Sequence, residues 1–153
     1  MNAETITKTI NKYGNSREHL MLILRDLENQ SGKNVLELET LRNVAEQMLI
    51  PKSAVAGFLG FYTMFKKEPR GKYIIRVCKS GPCHVMGSST IFHEIRKILG
   101  IGIGEGTKDG MFFLEQCECL GVCSVAPAMM VNYDIHGNLT PDRLRNIFDD
   151  YRK

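Results

Sequence analysis

The chain has 153 residues, of which 43% are hydrophobic and 24% are charged, and its net charge is +3. This length suits one ordinary domain or two small ones, and the charge is too low for the concentrated basic surface of a nucleic-acid-binding protein. The first residues form no signal peptide, and no stretch approaches the roughly 20 apolar residues of a membrane helix. The composition therefore predicts a soluble protein without direct membrane insertion.

The first 65 residues contain no cysteine and have the apolar spacing of helices. Ser16 and Ser53 are candidate N-caps, Gly32 is a candidate helix stop, and Pro51 breaks the pattern. Apolar side chains that recur every three or four residues define the inner faces: Ile6, Ile10, Tyr13; Leu20, Ile23, Leu24, Leu27; Leu41, Val44, Ala45, Met48. The pattern predicts a bundle of about four amphipathic helices, none of which is stable alone.

A charged segment that contains Pro69 and Gly71 follows this helical region. Such a segment is typical of a connection between domains. We therefore predict an N-terminal helical bundle over residues 1–68 and a second domain over residues 69–153.

The second domain alternates between strand and helix patterns. A strand–helix–strand order favours a parallel pair joined by a crossover, and a terminal hairpin adds an antiparallel partner. The predicted elements are a strand at Tyr73–Val77, a helix capped by Ser88 or Ser89, a loop at 100–110, strands at Met111–Cys117 and Ala128–Tyr133, a turn at Asp134–Asn138, and a final helix capped by Thr140. The fold class is thus α+β: a helical bundle followed by a thioredoxin-like domain with a mixed sheet.

All five cysteines follow Lys72. In a reducing compartment, metal binding or redox chemistry explains five cysteines better than a disulfide framework does. Cys78 and Cys83 follow the first strand, and Cys119 and Cys123 follow the next. Because parallel strands end at the same edge of a sheet, we expect the two pairs to meet there. Four convergent thiolates form a closed site for a soft metal centre.

The spacing alone leaves structural zinc and a [2Fe–2S] cluster nearly level, since each accepts four cysteines. The neighbouring residues favour the cluster. Gly81, Gly87 and Gly121 allow backbone N–H groups to approach inorganic sulfide, and the following helix directs its positive end toward the site. Arg76 and Lys79 add positive charge, which favours the reduced form of an anionic cluster.

The fifth cysteine, Cys117, lies two residues before Cys119. It could be a spare ligand or, with Cys119, part of a thiol–disulfide enzyme, but the chain lacks a C-x-x-C motif before a helix. We predict that Cys117 is a buried packing thiol, because four other cysteines complete the site.

The glycine-rich stretch at 100–106 lacks the Lys-Ser/Thr ending of a phosphate loop, and no Rossmann motif indicates NAD(H) binding.

Three stretches together resemble a known family: "FYTMF" at 61–65, "VCKSGPCHVMGS" at 77–88 and "ECLGVCSVAPAMMVN" at 118–132. They are similar to the 24 kDa-type subunit of NADH dehydrogenases. The same family supplies the small iron–sulfur subunit of NAD-dependent and electron-bifurcating hydrogenases and of formate dehydrogenases. The resemblance covers nearly the whole chain.

The resemblance implies a short helical bundle followed by a thioredoxin-like ferredoxin domain with one [2Fe–2S] cluster. The implied ligands are Cys78, Cys83, Cys119 and Cys123. The implied partners are a flavoprotein subunit that binds FMN and NAD(H), which the N-terminal helices help to dock, and further iron–sulfur subunits of a hetero-oligomeric complex.

From this resemblance we expect a cytoplasmic, non-catalytic electron-transfer subunit, either soluble or peripheral to a membrane complex. It would exchange single electrons with the partner's flavin. A zinc-stapled assembly module without redox activity is the alternative hypothesis.

Overall fold

A computed structural model describes residues 1–66 and 68–153. Contacts between residues divide the chain into two compact units, Met1–Pro69 and Arg70–Lys153. Each unit contains its own cluster of buried apolar side chains.

The first unit is helical. Its helices are α1 (Ala3–Tyr13), α2 (Leu20–Gln30), α3 (Leu38–Gln47) and α4 (Lys52–Phe61). The apolar stripes that predicted these helices form the core: Ile6, Ile10, Leu20, Ile23, Leu24, Leu27, Val44, Ala45 and Met48 are all buried in one cluster. The prediction of a helical N-terminus is confirmed.

Two of the predicted helix starts are wrong. Ser16 precedes a 3₁₀ turn at Arg17–His19, so α2 begins only at Leu20, and the Ser16 hydroxyl bonds the Glu18 carboxylate at 3.1 Å rather than a helix N–H. Helix α4 begins one residue before Ser53, directly after Pro51. The fixed φ of proline favours the start of a helix, and it takes precedence here over the capping preference of serine.

The second unit contains a five-stranded sheet with three helices. The strands are β1 (Tyr73–Cys78), β2 (Glu105–Gly106), β3 (Phe112–Cys117), β4 (Met129–Val131) and β5 (Asp134–His136), in the spatial order β2-β3-β1-β4-β5. The helices are α5 (Gly81–Val85), α6 (Ser88–Leu99) and α7 (Pro141–Arg152).

The sheet is mixed, as predicted. Strands β1 and β3 are parallel, in a register that runs from Tyr73 opposite Phe112 to Cys78 opposite Cys117. Strand β4 pairs antiparallel with β1 and with β5, and β2 pairs antiparallel with β3. The parallel pair in the centre requires a long crossover, which α6 provides.

One face of the sheet forms the core of this unit with α6 and α7. The buried side chains are Ile75, Val77, Phe112, Leu114, Met129 and Val131 from the strands, and Ile91, Ile95, Leu99, Leu144 and Phe148 from the helices. Because side chains alternate along a strand, Arg76 and Cys78 of β1 and Glu115 and Cys117 of β3 lie on the opposite face.

The structure corrects the predicted end of the sheet. The predicted turn at Asp134–Asn138 is wrong in its first half, since Asp134–His136 form β5 and pair with β4. The third predicted strand is correspondingly shorter, because the chain reverses at Asn132, which has a φ of 52°. β5 carries one apolar residue, which is exposed, so it gave no periodic signal. The short α5 and β2 were not predicted at all.

The predicted cap of α6 is wrong, because its N-cap is Gly87 and both Ser88 and Ser89 are already helical. Helix α7 has the predicted cap. The Thr140 side chain accepts a hydrogen bond from the Arg143 backbone N–H at 3.3 Å, and Pro141 occupies the first turn. Among the helices of residues 1–66 and 68–153, none is long and apolar enough to cross a membrane.

Candidate metal centre

The four cysteines of the two predicted pairs meet at the edge of the sheet where β1 and β3 end. Cys78 is the last residue of β1, and Cys83 lies in α5. Cys119 follows β3, and Cys123 begins a 3₁₀ turn that leads toward β4. Cys78 and Cys83 are only 2% exposed, whereas Cys119 and Cys123 are exposed. The set therefore has a buried pair and a solvent-facing pair.

The thiols are arranged as two pairs. The Cys119 and Cys123 sulfurs are 3.5 Å apart, which is close to the roughly 3.8 Å between two sulfurs bound about 2.3 Å from one tetrahedral ion. Cys78 and Cys83 shift each other's pKa, Cys123 raises the pKa of Cys83, and Cys78 raises the pKa of Cys123, so the two pairs are neighbours. In the described part of the chain, no three His, Cys, Asp or Glu side chains converge on the position of a single ion.

The buried pair is polarised by its surroundings. Burial acts to raise the pKa of Cys78, but the backbone amides of Ser80 and Leu120 and the Cys83 thiol stabilise its charged form and bring the pKa below the ordinary value. Burial and the neighbouring Cys78 raise the pKa of Cys83. Cys78 is therefore the thiol of this pair that more readily carries a negative charge.

In the exposed pair, Cys119 and Cys123, one sulfur accepts a hydrogen bond from the backbone of a glycine. The hydrogen bond with Cys119 raises the pKa of Cys123, with burial as the next cause. The Gly121 backbone N–H donates to the Cys119 sulfur at 3.3 Å. Gly121 has a φ of 79°, which glycine adopts without strain, so this residue allows the loop to turn its amide toward the sulfur.

Ion pairs connect basic side chains to carboxylates near the end of β3. Arg76 Nε contacts Glu115 Oε1 at 2.8 Å, and the buried Arg70 contacts the same oxygen at 4.0 Å. Lys79 pairs with Glu118 at 2.9 Å on the surface. Both arginines contact the same Glu115 carboxylate, and Arg76 lies on the sheet face that also carries Cys78.

Cys117 lies directly opposite Cys78 in the β1–β3 register. It is half-buried and packs against the small cluster formed by Cys78, Cys83, Ala126 and Ala128. Burial raises the pKa of Cys117 to about 11, which keeps its thiol protonated at neutral pH.

The loop that carries Cys123 is held by the segment before α7. The Asn138 N–H donates to the Val125 carbonyl at 2.6 Å, and Gly137 packs so closely on Val125 that a side chain at position 137 would collide with it. Arg143 holds the same segment through the Gly137 and Asn138 carbonyls, at 3.0 Å each.

Sequence reasoning missed the backbone amides that polarise Cys78. They belong to Ser80 and Leu120, which have no ionisable side chains. A signal was present: each residue stands next to a glycine in a cysteine-containing loop, where the chain can turn toward a sulfur.

The amino-acid sequence decides the family. The sequence model described as thioredoxin-like [2Fe-2S] ferredoxin matches residues 6–152. The chain belongs to the thioredoxin-like [2Fe–2S] ferredoxin family. The family resemblance and the cofactor, a [2Fe–2S] cluster, are thereby confirmed, and this identification does not support the zinc-stapled alternative.

Relatives of this thioredoxin-like [2Fe–2S] ferredoxin belong to oxidoreductases. The chain is 36% identical over 133 residues to NADP-reducing hydrogenase subunit HndA of Solidesulfovibrio fructosivorans, covering 87% of this chain and 77% of the relative. It is 37% identical over 142 residues to an NADH-quinone oxidoreductase subunit of Aquifex aeolicus strain VF5, covering 93% and 88%.

The fold also matches a solved structure. The crystal structure of an NAD⁺-reducing [NiFe]-hydrogenase in the air-oxidised state matches with a TM-score of 0.72 at 21% identity. The match covers 84% of this chain but only 22% of that hydrogenase chain. This likeness supports the fold.

The chemistry of the donor set fits the family's cofactor. A [2Fe–2S] cluster takes four cysteine thiolates. The two adjacent thiol pairs, with 3.5 Å between the sulfurs of Cys119 and Cys123, supply this number of donors at one edge of the sheet. Cys78, Cys83, Cys119 and Cys123 could therefore hold the cluster.

Proposed function

We propose that Cys78, Cys83, Cys119 and Cys123 ligate the [2Fe–2S] cluster. We further propose that the chain exchanges single electrons between this cluster and the flavin of an NAD(H)-binding partner subunit. The observation that carries the proposal is the pairing of four thiols at the ends of two parallel strands, with 3.5 Å between the sulfurs of the outer pair.

The cluster, when bound, supplies one-electron oxidation and reduction. The chain's own residues control its charge and its access to solvent. The amides near Cys78 and the Gly121 amide donate toward sulfur, and Arg76 adds positive charge on the same side of the sheet. These groups favour the more negative, reduced state. No side chain of this chain needs to act as acid or base.

The direction of access follows from burial. Cys119 and Cys123 are exposed, whereas Cys78 and Cys83 are enclosed. The partner that exchanges electrons therefore approaches from the Cys119–Cys123 side. Such a partner would carry FMN and NAD(H), and this chain would take no part in hydride chemistry.

The parent complex is proposed from the relatives. Their names include an NADP-reducing hydrogenase and an NADH-quinone oxidoreductase. We place this chain in such a hetero-oligomeric complex, with an NADH dehydrogenase, an NAD-linked or electron-bifurcating hydrogenase and a formate dehydrogenase as the candidates. Five free cysteines suit the reducing cytoplasm.

The helical unit is the proposed docking element for the flavoprotein. A cleft of about 380 Å³ in this unit is lined mainly by apolar side chains, including Leu36, Leu41, Leu59 and Phe65. Leu38 borders it and is itself 64% exposed. Exposed apolar surface of this kind is typical of protein interfaces.

Cysteine substitutions test the ligand assignment. We expect Cys119→Ser to lose most of the bound iron and the reduced-state EPR signal, because it removes a sulfur from the outer pair. Cys117→Ser is the matched control and should keep both, at about two irons per chain. Equal iron loss in the two variants would contradict the assignment, and one zinc per chain in the wild type would favour the zinc-stapled alternative.

A further inference from the structure

A small cleft lies between α5 and the N-terminal end of α6. It has a volume of about 220 Å³ and lies beside Cys78. Polar residues from α5, α6, β3 and the loop after β1 line it: Lys79, His84, Ser88, Ser89, His93 and Gln116. We call it the α5–α6 cleft. It is smaller than the 300–1,000 Å³ typical of sites for drug-sized ligands, so a whole dinucleotide would not fit.

The cleft meets an uncapped helix end. Gly87, the N-cap of the twelve-residue α6, has no side chain to accept from the first turn. Thr90 and Ile91 donate their N–H groups to the Gly87 carbonyl, at 3.0 and 3.3 Å. The N–H groups of Ser88 and Ser89 make no backbone hydrogen bond to any residue the structure describes. Such a helix end attracts an anion through its N–H groups and its dipole.

Ser88 provides independent evidence for a ligand. Its side chain is almost completely enclosed, since the residue is 4% exposed, and its hydroxyl has no hydrogen-bond partner among residues 1–66 and 68–153. Within the same residues, no side-chain oxygen is both sealed from solvent and unpartnered. The Ser88 hydroxyl therefore opens into the cleft, where it is available to donate to a bound group.

The charge of the lining favours a negative ligand. Lys79 contributes an ammonium group, His84 and His93 contribute imidazoles, and Gln116 contributes an amide, whereas none of the described residues that line the cleft carries a carboxylate. Lys79 forms an ion pair with Glu118, which is 78% exposed. Solvent screens such an exposed pair, so the lysine remains attractive to an anion.

We propose that the α5–α6 cleft binds a small oxyanion of the phosphate class, held by the Ser88 hydroxyl, the first N–H groups of α6 and Lys79. The ligand is either the free ion or the phosphate end of a nucleotide. The phosphate end of a nucleotide would enter the cleft of about 220 Å³, and the remainder of the nucleotide would extend toward solvent.

The site would also respond to the redox state, and this step rests on the proposed function. Cys78 lines the cleft and is a proposed cluster ligand. An electron added to the cluster places further negative charge beside the bound anion. Phosphate would therefore bind the oxidised protein more tightly than the reduced protein, and by linkage phosphate would lower the midpoint potential.

Calorimetric titration of the oxidised, full-length protein with inorganic phosphate tests the site, with chloride at equal ionic strength as the reference. We expect saturable phosphate binding in the wild type and about tenfold weaker binding in Ser88→Ala, which loses one hydrogen bond to a charged ligand. Thr90→Ala is the matched control: it removes an exposed hydroxyl from the same helical turn, outside the cleft, and should bind as the wild type does.

A second variant tests the site even if Ser88→Ala does not fold. Ser88→Asp places a carboxylate at the helix N-terminus, where it favours folding and repels phosphate, so it should stay folded and bind none. Titration with AMP separates the two sources: tighter binding than phosphate indicates a nucleotide, and weaker binding indicates the free ion. Phosphate binding no stronger than chloride binding, or unchanged in both Ser88 variants, would overturn the proposal.

Iron analysis and a potentiometric titration with and without phosphate keep the two proposals separate. If the cluster is present but phosphate does not bind, the anion site fails and the electron-transfer function stands. If phosphate binds but iron is absent, the anion site stands and the electron-transfer function fails. Saturable binding with an unchanged midpoint potential would overturn the redox coupling alone.

Discussion

Individual charges near the sulfurs define the electrostatics of this ferredoxin. Arg76 and Cys78 are two residues apart on β1 and lie on the same face of the sheet. Arg76 is held by Glu115 at 2.8 Å and by the Asn132 carbonyl at 3.4 Å, so its guanidinium is fixed rather than free to turn into solvent. A fixed, partly buried charge acts on its surroundings more strongly than an exposed one.

Arg76→Gln should lower the midpoint potential of the cluster. The substitution removes a positive charge and leaves Glu115 less neutralised, and both changes disfavour an additional electron. Arg76→Lys retains the charge and should stay close to the wild type, while Arg96→Gln, on the exposed side of α6, is a control for general charge loss. EPR-monitored redox titration measures the effect. Equal potentials for Arg76→Gln and the wild type would contradict it.

His136 links folding stability to pH. Burial lowers its pKa from 6.5, and its Nε2 lies 3.1 Å from the Tyr151 hydroxyl, which donates to Asp134 at 3.0 Å. Below about pH 6.5 the unfolded chain binds a proton at this histidine that the folded chain resists. This residue therefore contributes stability above that pH, and the contribution is lost as pH falls through the lowered folded-state pKa.

Urea unfolding between about pH 7.5 and about pH 5.5 checks this contribution, since the interval spans the ordinary histidine pKa. The wild type should lose more stability over that interval than His136→Gln, which cannot become charged. Other titrating groups affect both proteins alike, so the difference isolates His136. Identical pH slopes for the two proteins would rule out the contribution.

Among the elements, the segment between β5 and α7 determines where the Cys123 loop lies. Gly137 packs against Val125, and Asn138 bonds the Val125 carbonyl. The last helix therefore positions a proposed ligand that is about twenty residues earlier in the chain.

Gly137→Ala should lower the free energy of unfolding by about 1–3 kcal/mol, because its methyl group would overlap Val125 and overpack a close contact. It should also reduce iron content by displacing the Cys123 loop. Gly57→Ala is the control: its new methyl group would meet nothing within 4 Å in α4, and alanine favours a helix interior by roughly 0.5–1 kcal/mol. Urea unfolding and iron analysis measure both effects, and a Gly137→Ala protein as stable as the wild type would contradict this account.

The elements also show what the sequence could predict. Long periodic stripes such as those of α2 and α6 were predictable because burial of one face imposes a 3.6-residue repeat. The five-residue α5 and the three-residue β5 are too short to establish any repeat. The pairing of the thiols was predictable because strand order fixes which ends meet. The α5–α6 cleft was not predictable, because the sequence does not show whether the Ser88 hydroxyl finds a hydrogen-bond partner in the folded chain.

At the scale of the whole molecule, each of the two units has its own large apolar core, and these two cores share no residues. The first core is built by helices of residues 1–69, and the second by the sheet with α6 and α7 of residues 70–153. All four proposed ligands and the amides that polarise them belong to the second unit.

A fragment of residues 70–153 should therefore retain the cluster. We expect about two irons per chain, as the cluster requires, and a reduced-state EPR spectrum like that of the full chain. Binding to a co-expressed flavoprotein should be lost, because the proposed docking cleft lies in the removed unit. The full chain is the control. A fragment that retains flavoprotein binding would show that the helical unit is not the docking element.

With the proposed ligands, the unequal burial of the two thiol pairs would give the cluster one side that is open to attack from solvent. Small oxidants and chelators arriving from bulk water would encounter Cys119 and Cys123 first, while Cys78 and Cys83 lie behind the protein's own packing. Damage would therefore begin at the exposed pair, Cys119 and Cys123. A partner protein that covers the outer pair would thus act as a shield as well as an electron donor or acceptor, and the lifetime of the cluster in air would report on assembly.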